Sequence, residues 1–110
     1  MSDSKFHLLE EERGLIQSAL NEVLNGFETP DFERRIGMNR KNLDDLLKHL
    51  QQLRGDEEVT LDLDQARALR NVLLETIREL GVEEFQTRTG HELSRGYAAV
   101  KKLGDMLRRP

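Results

Sequence analysis

Two arginines and two glutamates recur in this sequence at one fixed spacing. Arg35 and Arg88 are 53 residues apart, and Glu22 and Glu75 are separated by the same number. A forked guanidinium group can bind a carboxylate or a phosphate through two parallel hydrogen bonds. We expect either two ion pairs, Glu22 with Arg35 and Glu75 with Arg88, or two arginines that face one groove and bind a partner. We favour the ion pairs, since partly exposed pairs are common in proteins.

Further cations lie within residues 31–50, which read DFERRIGMNRKNLDDLLKHL. This segment resembles a helix-turn-helix, with Gly37 in the turn and apolar residues on both sides at the spacing of two crossed helices. The resemblance implies that the cations lie at the mouth of a DNA major groove. The net charge of −4 and the acids Asp44 and Asp45 oppose this reading, so DNA binding is our alternative hypothesis. The cations are Arg34, Arg35, Arg40 and Lys41.

The sequence has no pattern typical of a catalytic or metal-binding site. It contains no cysteine, and His7, His49 and His91 are not spaced as metal ligands on one helix. The stretch Asp62-Leu63-Asp64 lacks the glycine and the closing glutamate of an EF-hand. There is no glycine-rich phosphate loop and no nucleophile elbow. We therefore predict a protein that is not an enzyme and that binds no metal and no cofactor.

An internal repeat predicts how these residues are positioned. The 53-residue offset aligns the whole chain without gaps and keeps the apolar pattern from end to end. We predict a single domain of two three-helix repeats, 5–54 and 58–107, joined by the linker 55–57 and related by a pseudo-twofold axis. The repeated positions that define the unit are Glu22, Phe32, Gly37, Glu75, Phe85 and Gly90.

Each repeat is expected to contain a short strand, a long helix, a short helix and a final helix. The strands, at 6–8 and 59–61, are predicted to pair antiparallel across the axis. The long helices should end at Asn25-Gly26 and at Gly81, because these residues tolerate the left-handed conformation. Thr29 is expected to cap the first short helix, and Asp62 or Asp64 the second long helix.

The final helices and the core follow from helical apolar stripes. We predict final helices over about 39–54 and 92–107, with Gly96 and Gly104 allowing another helix to approach closely. Tyr97 is assigned to the second stripe as a core residue; its alternative is a binding contact. The predicted core comprises Leu20, Leu24, Phe27, Phe32, Leu47, Leu50, Leu73, Ile77, Leu80, Phe85, Val100 and Leu103.

Composition limits the function classes that remain. The chain has 110 residues, of which 35% are charged and 5% are aromatic, a composition typical of a mainly helical, all-α protein. No apolar run reaches the length of a membrane span and no export signal is visible, so we expect a cytoplasmic protein without membrane contact. By elimination we predict a protein–protein interaction or regulatory module. Its expected contacts with a protein partner are Arg34, Arg35, Arg40, Lys41, Arg88 and Tyr97.

Overall fold

The computed structural model describes residues 4–108 of the chain. Within them the protein is mainly helical and has one two-stranded antiparallel sheet, which confirms the predicted fold class at this level. The elements are β1 (Ser4–Leu8), α1 (Glu10–Asn21), a π-helical turn (Glu22–Gly26), α2 (Phe32–Ile36), α3 (Arg40–Gln51), β2 (Glu57–Leu61), α4 (Leu63–Thr89) and α5 (Leu93–Arg108).

The two strands form the predicted ribbon. Each strand is five residues long, and β1 pairs antiparallel with β2. The central pair joins Phe6 to Val59, two residues that the repeat offset of 53 relates. Phe6, Leu8, Val59 and Leu61 are buried, so one face of the ribbon covers the helical core. A two-stranded ribbon is marginal alone, and this apolar face supplies the packing that it needs.

The two long helices begin with acidic residues that favour a helix start. Three glutamates occupy the first turn of α1, where they complement the positive end of the helix dipole. At α4, Asp62 Oδ1 accepts a hydrogen bond of 2.7 Å from the backbone N–H of Gln65, which confirms Asp62 as the cap. In return, the Gln65 side chain accepts from the backbone N–H of Asp62 at 3.0 Å. This reciprocal pair is a capping box.

The second half interrupts its long helix where the sequence predicts a stop. Gly81 has φ 70° and ψ −173°, a conformation that is essentially restricted to glycine, and it kinks α4. The short helix expected after Gly81 is therefore the last part of α4. Gly90 ends it with a φ of 78°, and Gly37 ends α2 with a φ of 90°. Both glycines take the left-handed conformation that is common at helix ends.

The start of α2 corrects one prediction. Thr29 does not cap the helix: its side chain is buried, and its hydroxyl has no hydrogen-bond partner within the protein. The N-cap is Asp31, which lies in the left-handed region with φ 50° and whose side chain accepts no capping hydrogen bond. Instead, the Asp31 carboxylate accepts a hydrogen bond of 2.9 Å from Arg34. The left-handed residue turns the chain into α2, so the helix begins two residues later than the predicted cap implies.

The core lies between the ribbon and the helices, and α4 and α5 make the most extensive helix–helix contact. Of the predicted core residues, Leu20, Leu47, Leu50, Leu73, Ile77, Phe85 and Leu103 are buried. The other five predicted core residues are only partly buried, so the prediction overstated their burial. They pack against the edge of the core: Leu24, Phe27, Phe32, Leu80 and Val100.

The two repeated phenylalanines differ in burial because their surroundings differ in size. Phe85 is fully buried, and a Cβ added at Gly96 would come within 2.8 Å of its ring. The residue 53 positions before Gly96 is Leu43, which is itself fully buried. A leucine in place of a glycine occupies the volume that the ring would need. Phe32 therefore stays at the edge of the core, where the guanidinium of Arg40 lies 4.3 Å from its ring centre.

Candidate functional site

The repeated arginines and glutamates form ion pairs, but between the halves of the chain rather than within them. Nε of Arg35 lies 3.7 Å from Oε2 of Glu75, and Nη2 of Arg88 lies 2.7 Å from Oε1 of Glu22. The predicted pairing of Glu22 with Arg35 and Glu75 with Arg88 is therefore wrong. Both glutamates are largely buried, so these pairs fasten each long helix to the short helical segment of the other half.

The Glu22–Arg88 pair explains Gly26 differently from the sequence prediction. Gly26 ends the π-helical turn, but its φ is not positive, so it does not use the left-handed conformation. A Cβ at this position would collide with the Glu22 carboxylate and would lie 3.1 Å from Nη2 of Arg88. A side chain at position 26 would therefore have to displace the ion pair, which lies directly against the backbone.

The cations around the predicted helix-turn-helix all have partners within the protein. Arg34 binds Asp31, and Nζ of Lys41 lies 3.3 Å from Asp45. Nη1 of Arg40 donates a 3.0 Å hydrogen bond to the carbonyl of Leu24 while its guanidinium covers Phe32. With Arg35 directed to Glu75, the basic residues do not form one free face. The DNA hypothesis also required Asp45 to point away from the cations, and instead it contacts Lys41.

Tyr97 is not part of the core, and it lies outside the buried face of α5. Its side chain is 52% exposed, so its assignment to the core is wrong. The buried face of α5 is formed by Gly96, Ala99, Leu103, Gly104 and Met106. Tyr97 follows Gly96 by one residue, and about 100° of helical rotation separates the two positions. The glycine, and not the tyrosine, faces the neighbouring helix.

Two clefts form where the start of a long helix meets the final helix of the other half. The α1–α5 cleft has a volume of about 110 Å³ and the α3–α4 cleft about 390 Å³. The first is lined by Leu9, Glu11, Glu12, Leu15, His91, Arg95, Ala98 and Ala99. The second is lined by Met38, Asn42, Asp45, Leu46, His49, Asp62, Asp64 and Gln65.

The clefts occupy matching places in the two halves. Seven of the eight residues that line the α3–α4 cleft lie 53 positions from a residue that lines the α1–α5 cleft. The capping contacts match as well, because Glu12 accepts from the backbone N–H of Leu9 at 3.0 Å, as Gln65 does from Asp62. The same local geometry therefore carries two different sets of side chains.

Cations from α5 close the smaller cleft. Nη1 of Arg95 lies 2.7 Å from Oε2 of Glu11, and Nζ of Lys102 lies 2.7 Å from Oε1 of Glu12. Lys102 also donates a 2.9 Å hydrogen bond to the carbonyl of His7, in β1. These contacts bridge the two walls and neutralise the carboxylates of the first turn of α1.

The larger cleft lacks those bridges. The positions that match Arg95 and Lys102 are Asn42 and His49, and neither places an ammonium or guanidinium group opposite α4. Acids lie on both walls, since Asp45 belongs to α3 while Asp62 and Asp64 belong to the start of α4. Met38 adds partly buried apolar surface, while Leu46, which also lines the cleft, is only 4% exposed. The α3–α4 cleft therefore combines acidic walls with apolar contacts and remains open to solvent.

Sequence reasoning missed this cleft. It considered Asp62-Leu63-Asp64 as a calcium loop, which it rejected, and as the source of a helix cap, and it considered Asp45 only as an obstacle to DNA binding. The available signal was the set of positions where the two halves differ in charge, above all Asn42 against Arg95. Positions that the repeat keeps proved to be structural, as the crossed pairs of Arg35 and Arg88 show.

Comparison of the chain with protein-family models, curated proteins and solved structures finds no match. Within residues 4–108, no group of three or more histidine and acidic side chains could hold a metal ion. Over the same residues, no helix is both long enough and apolar enough to cross a membrane.

Proposed function

We propose that this chain is a non-enzymatic protein-binding module and that the α3–α4 cleft is its docking site. The observation that carries the proposal is the contrast between the matching clefts. Two interhelical ion pairs close the α1–α5 cleft, whereas the α3–α4 cleft has a volume of about 390 Å³ and no such bridge. Its mixture of apolar and polar side chains is typical of surfaces that bind other proteins.

We also propose that the two halves are copies of one three-helix unit related by a pseudo-twofold axis. The pairing of Phe6 with Val59, the crossed ion pairs and the matching clefts support this arrangement. In such a molecule the α1–α5 cleft can stabilise the fold, while the α3–α4 cleft carries different side chains and can bind a partner. The division of the chain into repeats 5–54 and 58–107 belongs to the same proposal.

The helix-turn-helix hypothesis has less support. Arg34, Arg35, Arg40 and Lys41 each contact an acid, an aromatic ring or a carbonyl of the protein itself. Phosphate contacts would need these cations to leave their partners, and DNA affinity depends on the number of phosphates neutralised.

Capture from a lysate with blocked clefts tests the protein-binding role. Immobilised wild-type protein is compared with Asn42→Trp, which fills the α3–α4 cleft, and with Arg95→Trp, which places the same bulk in the α1–α5 cleft. The compared lysates are treated with nuclease, one further wild-type sample is left untreated, and thermal unfolding confirms that each variant is folded. We expect proteins that bind the wild type and Arg95→Trp but not Asn42→Trp.

Two results would overturn the proposal. One is the capture of the same proteins by all three forms, which would place binding elsewhere on the surface. The other is a wild-type protein that captures nothing beyond the bare matrix. Recovery of nucleic acid from a sample without nuclease, lost at high salt, would favour the helix-turn-helix alternative instead.

A further inference from the structure

We propose that the α3–α4 cleft takes a basic segment of a protein partner, with an Arg or Lys side chain inserted between Asp45 of α3 and Asp64 of α4. This inference rests on the protein-binding role above and specifies the chemistry of the partner. The occupant supplies from outside the positive charge that α5 supplies within the α1–α5 cleft. Apolar residues beside the inserted cation would contact Met38.

The α1–α5 cleft shows which groups fit this geometry. There, cationic side chains reach the carboxylates in the first turn of a long helix, with two N–O distances of 2.7 Å. At the matching positions of the α3–α4 cleft, α3 carries Asn42 and His49. The start of α4 keeps a carboxylate, Asp64, where α1 has Glu11. The α3–α4 cleft thus keeps a carboxylate acceptor, Asp64, but lacks the cationic donors that α5 supplies in the α1–α5 cleft.

The opposite wall strengthens the preference for a cation. Asp45 of α3 occupies the position that Ala98 occupies on α5, so the larger cleft has acids on both walls and the smaller cleft on one. A neutral or acidic segment would bring no partner for these carboxylates. A guanidinium or ammonium group placed between the walls can contact both of them.

The cations already near these acids do not fill the cleft. Lys41 lies 3.3 Å from Asp45, and Arg67 lies 3.3 Å from Asp64, each pair within one helix. The Lys41 side chain is 84% exposed and that of Arg67 is 51% exposed, so these pairs lie on the outer surface. Exposed pairs of this kind are weak, and a cation bound between the walls can compete with them.

The third acid of the cleft is held by the protein itself. Asp62 caps α4 through its bond to the backbone N–H of Gln65, which fixes that carboxylate at the rim. Asp45 and Asp64 are therefore the acids available to a ligand, and Asp62 adds negative potential behind them.

A pair of peptides that differ only in charge tests the inference. The first is a fluorescently labelled peptide with two arginines flanked by leucines. The second has citrulline in place of each arginine, which keeps the shape and removes the charge. Binding to the full-length protein is measured by fluorescence anisotropy at low and high salt. We expect the arginine peptide to bind at least about tenfold more tightly, and the difference to shrink at high salt.

A charge-matched pair of variants locates the binding. Asn42→Arg combined with His49→Lys gives α3 the cations that α5 has, and should weaken binding of the arginine peptide at least about tenfold. The control, Asn25→Arg with Gln86→Lys, adds the same two charges at exposed positions outside the cleft and should leave binding nearly unchanged. Equal loss in both variants would reveal a general charge effect and overturn the inference.

These experiments distinguish an error in the chemistry of the partner from an error in the location of the docking site. If neither peptide binds, or both bind equally, the basic occupant is wrong. Proteins captured from the lysate in an Asn42-dependent way would still support the docking site. If the arginine peptide binds the cleft variant and the wild type equally, the assignment of the cation to Asp45 and Asp64 fails.

Discussion

Phe85 packs directly against Gly96, so closely that a methyl group at position 96 would come within 2.8 Å of the phenyl ring. Both residues are buried, and the contact joins the last part of α4 to α5. The neighbouring Ile77 lies 3.5 Å from the same point, so the ring has little room to move aside. This contact belongs to the α4–α5 interface, the most extensive helix–helix contact among the described residues.

We predict that Gly96→Ala destabilises the protein by about 1–3 kcal/mol, because overpacking outweighs the helix propensity gained. The free energy of unfolding is measured by urea denaturation. Gly104→Ala is the matched control on the same helix, since a Cβ there would meet only Arg108, at 3.9 Å. It should stabilise the protein by up to about 1 kcal/mol. Equal effects at the two positions would contradict the packing described.

The two repeated phenylalanines should respond very differently to truncation. Phe85→Ala removes a fully buried ring and should cost about 3–5 kcal/mol. Phe32→Ala removes a partly buried ring and a cation–π contact with Arg40, and should cost less than about 2 kcal/mol. Thermal and urea unfolding of both variants decide the matter. Equal costs would mean that Phe32 belongs to the core after all.

Double-mutant cycles should detect the crossed ion pairs. Truncating Arg88 and Glu22, singly and together, should give a coupling energy of about 0.5–1 kcal/mol, since the pair is partly buried. The same cycle between Arg88 and Glu75 should give a coupling near zero. The reverse result would restore the pairing within each half that the sequence alone favours.

The Asp105 carboxyl should titrate below its ordinary pKa of 3.8. Hydrogen bonds from Arg108 and Lys101 lower the pKa of Asp105 in the folded protein. The stabilisation is therefore present above the unfolded pKa and is lost as the pH falls through the lower, folded value. Carboxyl chemical shifts followed by NMR test this, and Arg108→Gln should raise the pKa of Asp105 towards 3.8. An unchanged pKa in that variant would exclude Arg108 as the main cause.

The sequence predicted the elements well because helix signals are local. The Asp62 cap, the left-handed Gly37 and Gly90, and the apolar stripes depend on neighbours within a few residues. The antiparallel ribbon was also predicted, from the expectation that two repeated segments pair across a pseudo-twofold axis.

The errors concern contacts between residues far apart in the chain. Whether Arg88 reaches Glu22 or Glu75 depends on how the halves dock, which no local pattern determines. The partial burial of Phe32 likewise depends on surroundings that a local pattern does not show. Gly26 does not take the left-handed conformation that the turn rule predicted, and it lies against the Glu22–Arg88 pair instead. The acidic cleft was missed for the same reason, since its two walls, α3 and the start of α4, lie in different halves of the chain.

The crossed ion pairs also bear on how the chain folds during synthesis. Glu22 lies near the beginning of the chain, and its partner Arg88 is added only after most of the chain has been synthesised. Until then the apolar face of α1 stays exposed, because the helices that cover it, α4 and α5, have not yet been synthesised. We expect the nascent first half to be a client of chaperones, and native structure to form in one late, cooperative step.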